Sequence, residues 1–219
     1  MISKSIVSST NMADTIQLVK QLKAQLAAVQ ITLADLEAAL TPGPRALFCS
    51  PVTGQVETGS NPFGGDWFDA TGYARFYNSA GINAYHTGCD LNRPAYADAG
   101  APVYAIADGV ICFARSVKNW QGDVVIVDHR LEDGSHIWTR YAHIQRAESI
   151  LIGGLVKRGD PLGVIADYDA NGPRGDHLHF DIARIDLGRS PGDWPGQSPT
   201  RVQHDYIDPV VWLKNNLST

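Results

Sequence analysis

Gly175-Asp176-His177-Leu178-His179-Phe180-Asp181-Ile182 sets two imidazoles two residues apart. Leu178, Phe180 and Ile182 alternate with His177, His179 and Asp181, a period of two that predicts a half-buried strand. Residues two apart on a strand share a face, so both rings would stand side by side, about 6.5–7 Å apart along the backbone. Two neutral imidazoles on a rigid strand are a natural start to a metal site, but the pair alone is weak and needs partners. Upstream, Tyr85-His86-Thr87-Gly88-Cys89-Asp90-Leu91-Asn92 supplies His86 and Asp90, both good zinc ligands, with Gly88 letting the backbone turn between them. Read alone, it is a surface turn with a solvated His. Arg140-Tyr141-Ala142-His143-Ile144 ends a strand with His143, which alone reads as a satisfied, half-buried histidine.

These residues need rigid elements to hold them. Residues 103–107, 109–114, 124–128, 136–144 and 162–165 read as strands bounded by turn signals such as Ala107-Asp108-Gly109, Glu132-Asp133-Gly134 and Arg158-Gly159-Asp160. No segment between them has an amphipathic helix period. The pattern predicts a mainly β, mostly antiparallel domain from about residue 46 to the C-terminus. Residues 186–205, rich in Gly, Pro, Ser and Asp, read as a long loop, and 206–217 as holding a short final helix.

Residues 12–41 have a different texture. Leu22, Leu26, Val29, Leu33, Leu36 and Leu40 repeat by fours and threes, the heptad seam of one long helix that Thr41-Pro42-Gly43-Pro44 stops. The seam can pack on the β domain or pair with copies of itself in a short coiled coil, the reading preferred here. The expected division is an N-terminal tail at 1–11, the helix and oligomerisation segment at 12–41, a linker at 42–50, the β domain at 51–213 and a C-terminal tail at 214–219.

The 219 residues are 44% hydrophobic and 19% charged, enough for one substantial core with chain left for an appendage. A net charge of -5 does not suggest nucleic-acid binding. Cys49, Cys89 and Cys112 are few, odd in number and lack CxxC spacing, which argues against a disulfide framework or a thiolate zinc site. Cys112 lies in an apolar run and reads as core. The N-terminus lacks a signal-peptide pattern, and no window is apolar enough to span a membrane.

Taken in order, His86-Thr87-Gly88-Cys89-Asp90, Tyr141-Ala142-His143 and His177-Leu178-His179-Phe180 resemble the lysostaphin-like, LytM-type zinc metalloendopeptidases that cut bacterial peptidoglycan. Gly100 to Val110, Val124 to His129, Val156 to Gly163 and Asp208-Pro209 are also similar, so the likeness covers roughly residues 50 to 213. The resemblance implies that His86, Asp90 and His179 hold one zinc ion and leave an open position, as a catalytic zinc site requires. It implies that His143 and His177 are a catalytic pair, one handling the proton and one the oxyanion, with the assignment between them open. The substrate implied is an amide bond in peptidoglycan stem peptides or cross-bridges. The alternatives are a latent or non-catalytic cell-wall scaffold, or a lytic component of a larger assembly such as a phage tail. Action at the cell wall is expected, either by secretion without a recognisable leader or on a phage particle.

Three departures from the family pattern stand out. Cys89 replaces an aliphatic residue and reads as a small buried hydrophobe, or else as a thiol that makes the site sensitive to oxidation or to a second metal. Asp176 reads as an exposed turn residue, or else as a partner to a histidine. The 184–205 loop, with Trp194, is long and reads as lining a substrate groove or as a solvated insertion, with the groove preferred. Residues 57–80 precede the first motif and could occlude the site or form another wall. His129 reads as structural, and His136 and His204 as solvated.

Overall fold

A computed structural model describes residues 15, 17–20, 22, 23, 25, 48–79, 82–96, 98–118, 120–167 and 175–217. The chain divides into two compact units, Met1–Gly43 and Pro44–Thr219. In the first, the described residues are all helical and exposed. No long helix is shown there: most of the expected 12–41 helix, and with it the coiled-coil seam from Leu26 to Leu40, lies outside the described residues.

The second unit is built on antiparallel strands: β1 (Phe68–Asp69), β2 (Phe76–Ser79), β3 (Ile82–Tyr85), β4 (Cys89–Asn92), β5 (Pro102–Tyr104), β6 (Gly109–Ser116), β7 (Asp123–Arg130), β8 (His136–Arg146), β9 (Leu155–Val156), β10 (Pro161–Ile165) and β11 (Leu178–Ala183). Then come helix α1 (Pro199–Asp205), β12 (Tyr206–Ile207) and helix α2 (Pro209–Asn216). The main sheet runs β1-β4-β11-β8-β7-β6-β9; β10 joins β8 to β5, β12 pairs with β11, and β2–β3 is a separate hairpin. The strands expected from the sequence are present within a few residues at each end.

Both faces of this sheet are covered. Leu91, Val125, Val127, Tyr141, Phe180 and Ile182 point into the larger core. Phe113, Val124, Ile126, Ala142, Ala183, Leu187 and Tyr206 form a smaller cluster. The unbroken apolar run Val124–Val127 on β7 is what burial on both faces demands. The larger core extends beyond residues 51 and 213, since Phe48 and Leu217 are buried in it.

Sequence reasoning missed part of the 186–205 segment. It contains α1, started by Ser198 as N-cap, whose side chain accepts from the Arg201 N–H, with Pro199 in the first turn. The Ser-Pro pair was the available signal. Because this segment lies over the polar face of β11, all six residues Leu178–Ala183 are buried, not half of them as the alternation suggested.

Candidate metal centre

Strand register brings the three stretches together. On β11, His179 lies opposite Asp90 of β4 and Ala142 of β8. His86 stands just before β4, and Gly88 lets that strand run close: a Cβ there would strike the Phe180 carbonyl oxygen and Asp181. The need for glycine at position 88 is therefore close approach rather than a turn.

His86, Asp90 and His179 form a cluster able to hold a metal ion. His86 Nε2 lies 3.0 Å from Asp90 Oδ1 and 3.0 Å from His179 Nδ1, and His179 Nδ1 lies 3.1 Å from Asp90 Oδ1. The other ring nitrogens point outward. His86 Nδ1 is 3.1 Å from the Gly72 carbonyl oxygen, an acceptor only, so that nitrogen carries the proton. His179 Nε2 is 3.0 Å from Asp181 Oδ2. With both protons outward, three lone pairs converge, and a cation is needed between them. A proton can bridge two of these atoms; a metal ion satisfies all three. Their spacing is close to the edge of about 3.3 Å expected around tetrahedral zinc with bonds of about 2.0 Å. The donor set therefore fits zinc: two imidazoles and one carboxylate, with one face open.

Every donor has an outer partner. Thr71 Oγ1 donates to Asp90 Oδ2 at 2.6 Å. Behind His179, Asp181 Oδ2 also accepts from Thr87 Oγ1 at 2.8 Å and from the Arg140 guanidinium. Arg140 and Asp181 are both fully buried. Burial works against the Asp181 carboxylate, but Arg140 and the His179 hydrogen bond outweigh it and hold its pKa far below the usual range. Burial likewise opposes charge on His179, and Asp181 and Asp90 more than offset it, raising its pKa. Carboxylate–histidine pairs of this kind fix the tautomer of a metal ligand.

His143 and His177 stand beside the triangle. Their ring centroids are 4.7 Å apart, and His177 Nε2 is 3.5 Å from Asp90 Oδ1. His177 Nδ1 donates to the Gly175 carbonyl and His143 Nδ1 to the Gln121 carbonyl, each at 3.0 Å. That leaves Nε2 of each ring as the lone-pair nitrogen. Burial, then the neighbouring His177 and His179, push the His143 pKa down to about 3, so it is neutral at pH 7.

Two tryptophans wall the centre. Trp194, from the segment after β11, packs 5.5 Å from the His179 ring and 5.7 Å from that of His86. Trp120, from the β6–β7 connection, stacks on His143 at 5.7 Å and meets Trp194 at 5.5 Å. Trp194 thus brings the 184–205 segment against the ligand rings. Trp120, Arg140, Thr71 and Thr87 were not singled out from the sequence. Asp181 carried a faint signal, since it shares a strand face with His177 and His179; Arg140 did not, because alternation puts it on the face opposite His143, and the Trp120 and Thr71 positions depend on loops.

The remaining candidates sit apart from the centre. His129 is buried, its ring 2.8 Å from both the Asp108 carbonyl and Thr139 Oγ1, with burial lowering its pKa to about 4; it is structural. His136 and His204 are exposed, as expected, each beside an aspartate. Cys89 is fully buried with its thiol pKa pushed well up by burial, which makes it an inert hydrophobe. Asp176 is buried, not exposed, and its carbonyl accepts from Asn92 Nδ2 at 3.1 Å. Cys112 is only half-buried, at a bulge in the β6–β7 pairing.

The model of peptidase family M23 matches residues 84–191. Among solved structures, the chain is similar to a zinc-containing peptidase from Vibrio cholerae, at 25% identity over 63% of this chain and 37% of that one, with a TM-score of 0.44. It is similar to lysostaphin at 22% identity over 68% of this chain and 51% of that one, with a TM-score of 0.47. The catalytic domain of the prophage-encoded M23 protein EnpA from Enterococcus faecalis matches at 20% identity over 67% of this chain and 92% of that one, with a TM-score of 0.41. The chain thus spans about half or less of the first two of these structures. No curated protein matches it.

Proposed function

Because the chain belongs to peptidase family M23, we propose that it is a zinc-dependent endopeptidase that hydrolyses amide bonds in bacterial peptidoglycan stem peptides or cross-bridges. The observation that carries this reading is the convergence of His86 Nε2, Asp90 Oδ1 and His179 Nδ1, with two further imidazoles at its edge. A bound zinc ion would supply Lewis-acid polarisation of the scissile carbonyl and lower the pKa of water to about 7.

The chain's own residues do the rest. His143 and His177 each offer Nε2 as a base, because each Nδ1–H is spent on a backbone carbonyl. One accepts the proton of the attacking water and returns it to the leaving amine. The other, with a second proton taken up from solvent at Nε2, donates to the oxygen that becomes negative as the carbonyl carbon turns tetrahedral, and returns that proton to solvent after the bond is cut. Trp194 and Trp120 shield the ligand rings on one side.

The test is turbidity loss of purified cell walls with the wild-type chain and with His177→Ala, after bound zinc has been measured in both. Zinc near one per chain in both proteins, with lysis lost only in the variant, is the expected result. Undiminished lysis by the variant would refute the role given to His177, and wild-type lysis that persists after complete removal of metal would refute the zinc mechanism.

A further inference from the structure

Two of the three donors take their outer hydrogen bonds from one short turn. Asp69, Ala70, Thr71 and Gly72 run from β1 into the segment before the β2–β3 hairpin. Thr71 Oγ1 donates to Asp90 Oδ2 at 2.6 Å, and the Gly72 carbonyl accepts from His86 Nδ1 at 3.1 Å. A single oxygen, Asp69 Oδ1, holds the turn in shape. It accepts from the N–H groups of Thr71 at 3.2 Å, Gly72 at 2.9 Å and Asp90 itself at 3.2 Å. The Ala70 N–H closes the link by donating to the Asp90 carbonyl at 2.9 Å. Gly72 has φ of 86°, a left-handed conformation that suits glycine and turns its carbonyl toward His86.

We propose that the Asp69–Gly72 turn is the positioning element that sets the metal affinity and coordination mode of the centre. It rests on the metal reading given above, and it assigns a task to residues outside the matched segment 84–191. Thr71 keeps Asp90 Oδ2 engaged, so Asp90 offers the metal one oxygen instead of two. Gly72 keeps the proton of His86 on Nδ1, so Nε2 remains the ligating atom. Asp69 ties both tasks to the backbone of Asp90. The turn is therefore an outer layer of the metal site, and none of its side chains touches the reacting atoms.

The experiment measures zinc affinity of the full chain by competition with a chromophoric chelator, alongside the visible spectrum of the cobalt-substituted protein. Thr71→Val keeps the side-chain shape and removes the hydroxyl; Thr71→Ser returns it. Thr71→Val should bind zinc about 10-fold more weakly and shift the cobalt bands, as the freed Asp90 oxygen enters the coordination sphere. Thr71→Ser should restore both. The melting temperature of the metal-free protein should be alike in all three, which separates a metal effect from a folding one. Equal affinity and identical cobalt spectra in wild type and Thr71→Val would overturn the proposal. So would an affinity loss that Thr71→Ser leaves uncorrected and that tracks a loss of fold. If the wild-type chain itself binds neither metal, the metal reading fails first, and the role of the turn falls with it.

Discussion

His143 adopts φ of 64°, a left-handed conformation that costs a residue with a Cβ about 1–2 kcal/mol. Its place in the sheet explains why. The β7–β8 register shifts between Asp123, opposite Ile144, and Val124, opposite Ala142, so His143 is the extra residue of a bulge. Bulges re-aim side chains beside functional sites, and this one turns an imidazole toward the His179 ring, 6.4 Å away. Replacing His143 by Ala or by Gly removes the same ring, but only Gly relieves the backbone. We expect His143→Gly to be more stable than His143→Ala by about 1 kcal/mol in denaturant titration, with both losing lysis and keeping zinc. Equal stabilities would mean that the bulge carries no strain. The five residues of this centre were legible as side-chain types in ordered motifs. The bulge was not, because nothing in Tyr141-Ala142-His143 marks a change of register.

Arg140 is the main tie between two elements of the centre. From β8 its guanidinium reaches Asp181 on β11, and its Nη1 donates to the carbonyls of Pro191 at 3.1 Å and Asp193 at 2.8 Å. It also lies 4.5 Å over the Trp120 ring. One side chain therefore fixes the outer partner of His179 and the backbone just before Trp194. Removing it takes the guanidinium from a buried carboxylate that keeps only Thr87 and His179, and breaking such buried pairs costs about 3–5 kcal/mol. Arg140→Met should lower stability by about that amount and raise amide hydrogen exchange across residues 189–198. Unchanged exchange there would show that the segment is held by other contacts. The strands were readable because alternation and turn residues are local properties. The burial of β11 on both faces was not, since it depends on a segment whose Gly and Pro content reads as loop, although Arg140 and Trp194 pin it down.

At the scale of the whole molecule, the sheet unit is a frame that lets distant segments meet at one corner. β4, β8 and β11 supply Asp90, His143 and His179, and the residues leading into β4 and β11 add His86 and His177, while the turn after β1 and the segment after β11 add outer hydrogen bonds and part of the aromatic wall. The broad β character and the order of motifs were visible in the sequence because they follow from composition and spacing. Which histidines converge is a matter of long-range pairing: spacing alone left His177 and His179 equivalent on their strand, the family resemblance pointed to His179, and it is His179 that forms the triangle with His86 and Asp90. No helix among the described residues is long and apolar enough to cross a membrane. The most direct test of the account is X-ray absorption fine structure at the zinc edge of the zinc-loaded chain. It predicts two imidazole nitrogens and two oxygen donors at about 2.0–2.2 Å. A sulfur scatterer near 2.3 Å, or three or more imidazoles on the metal, would contradict the assignment of His86, Asp90 and His179 as the protein ligands.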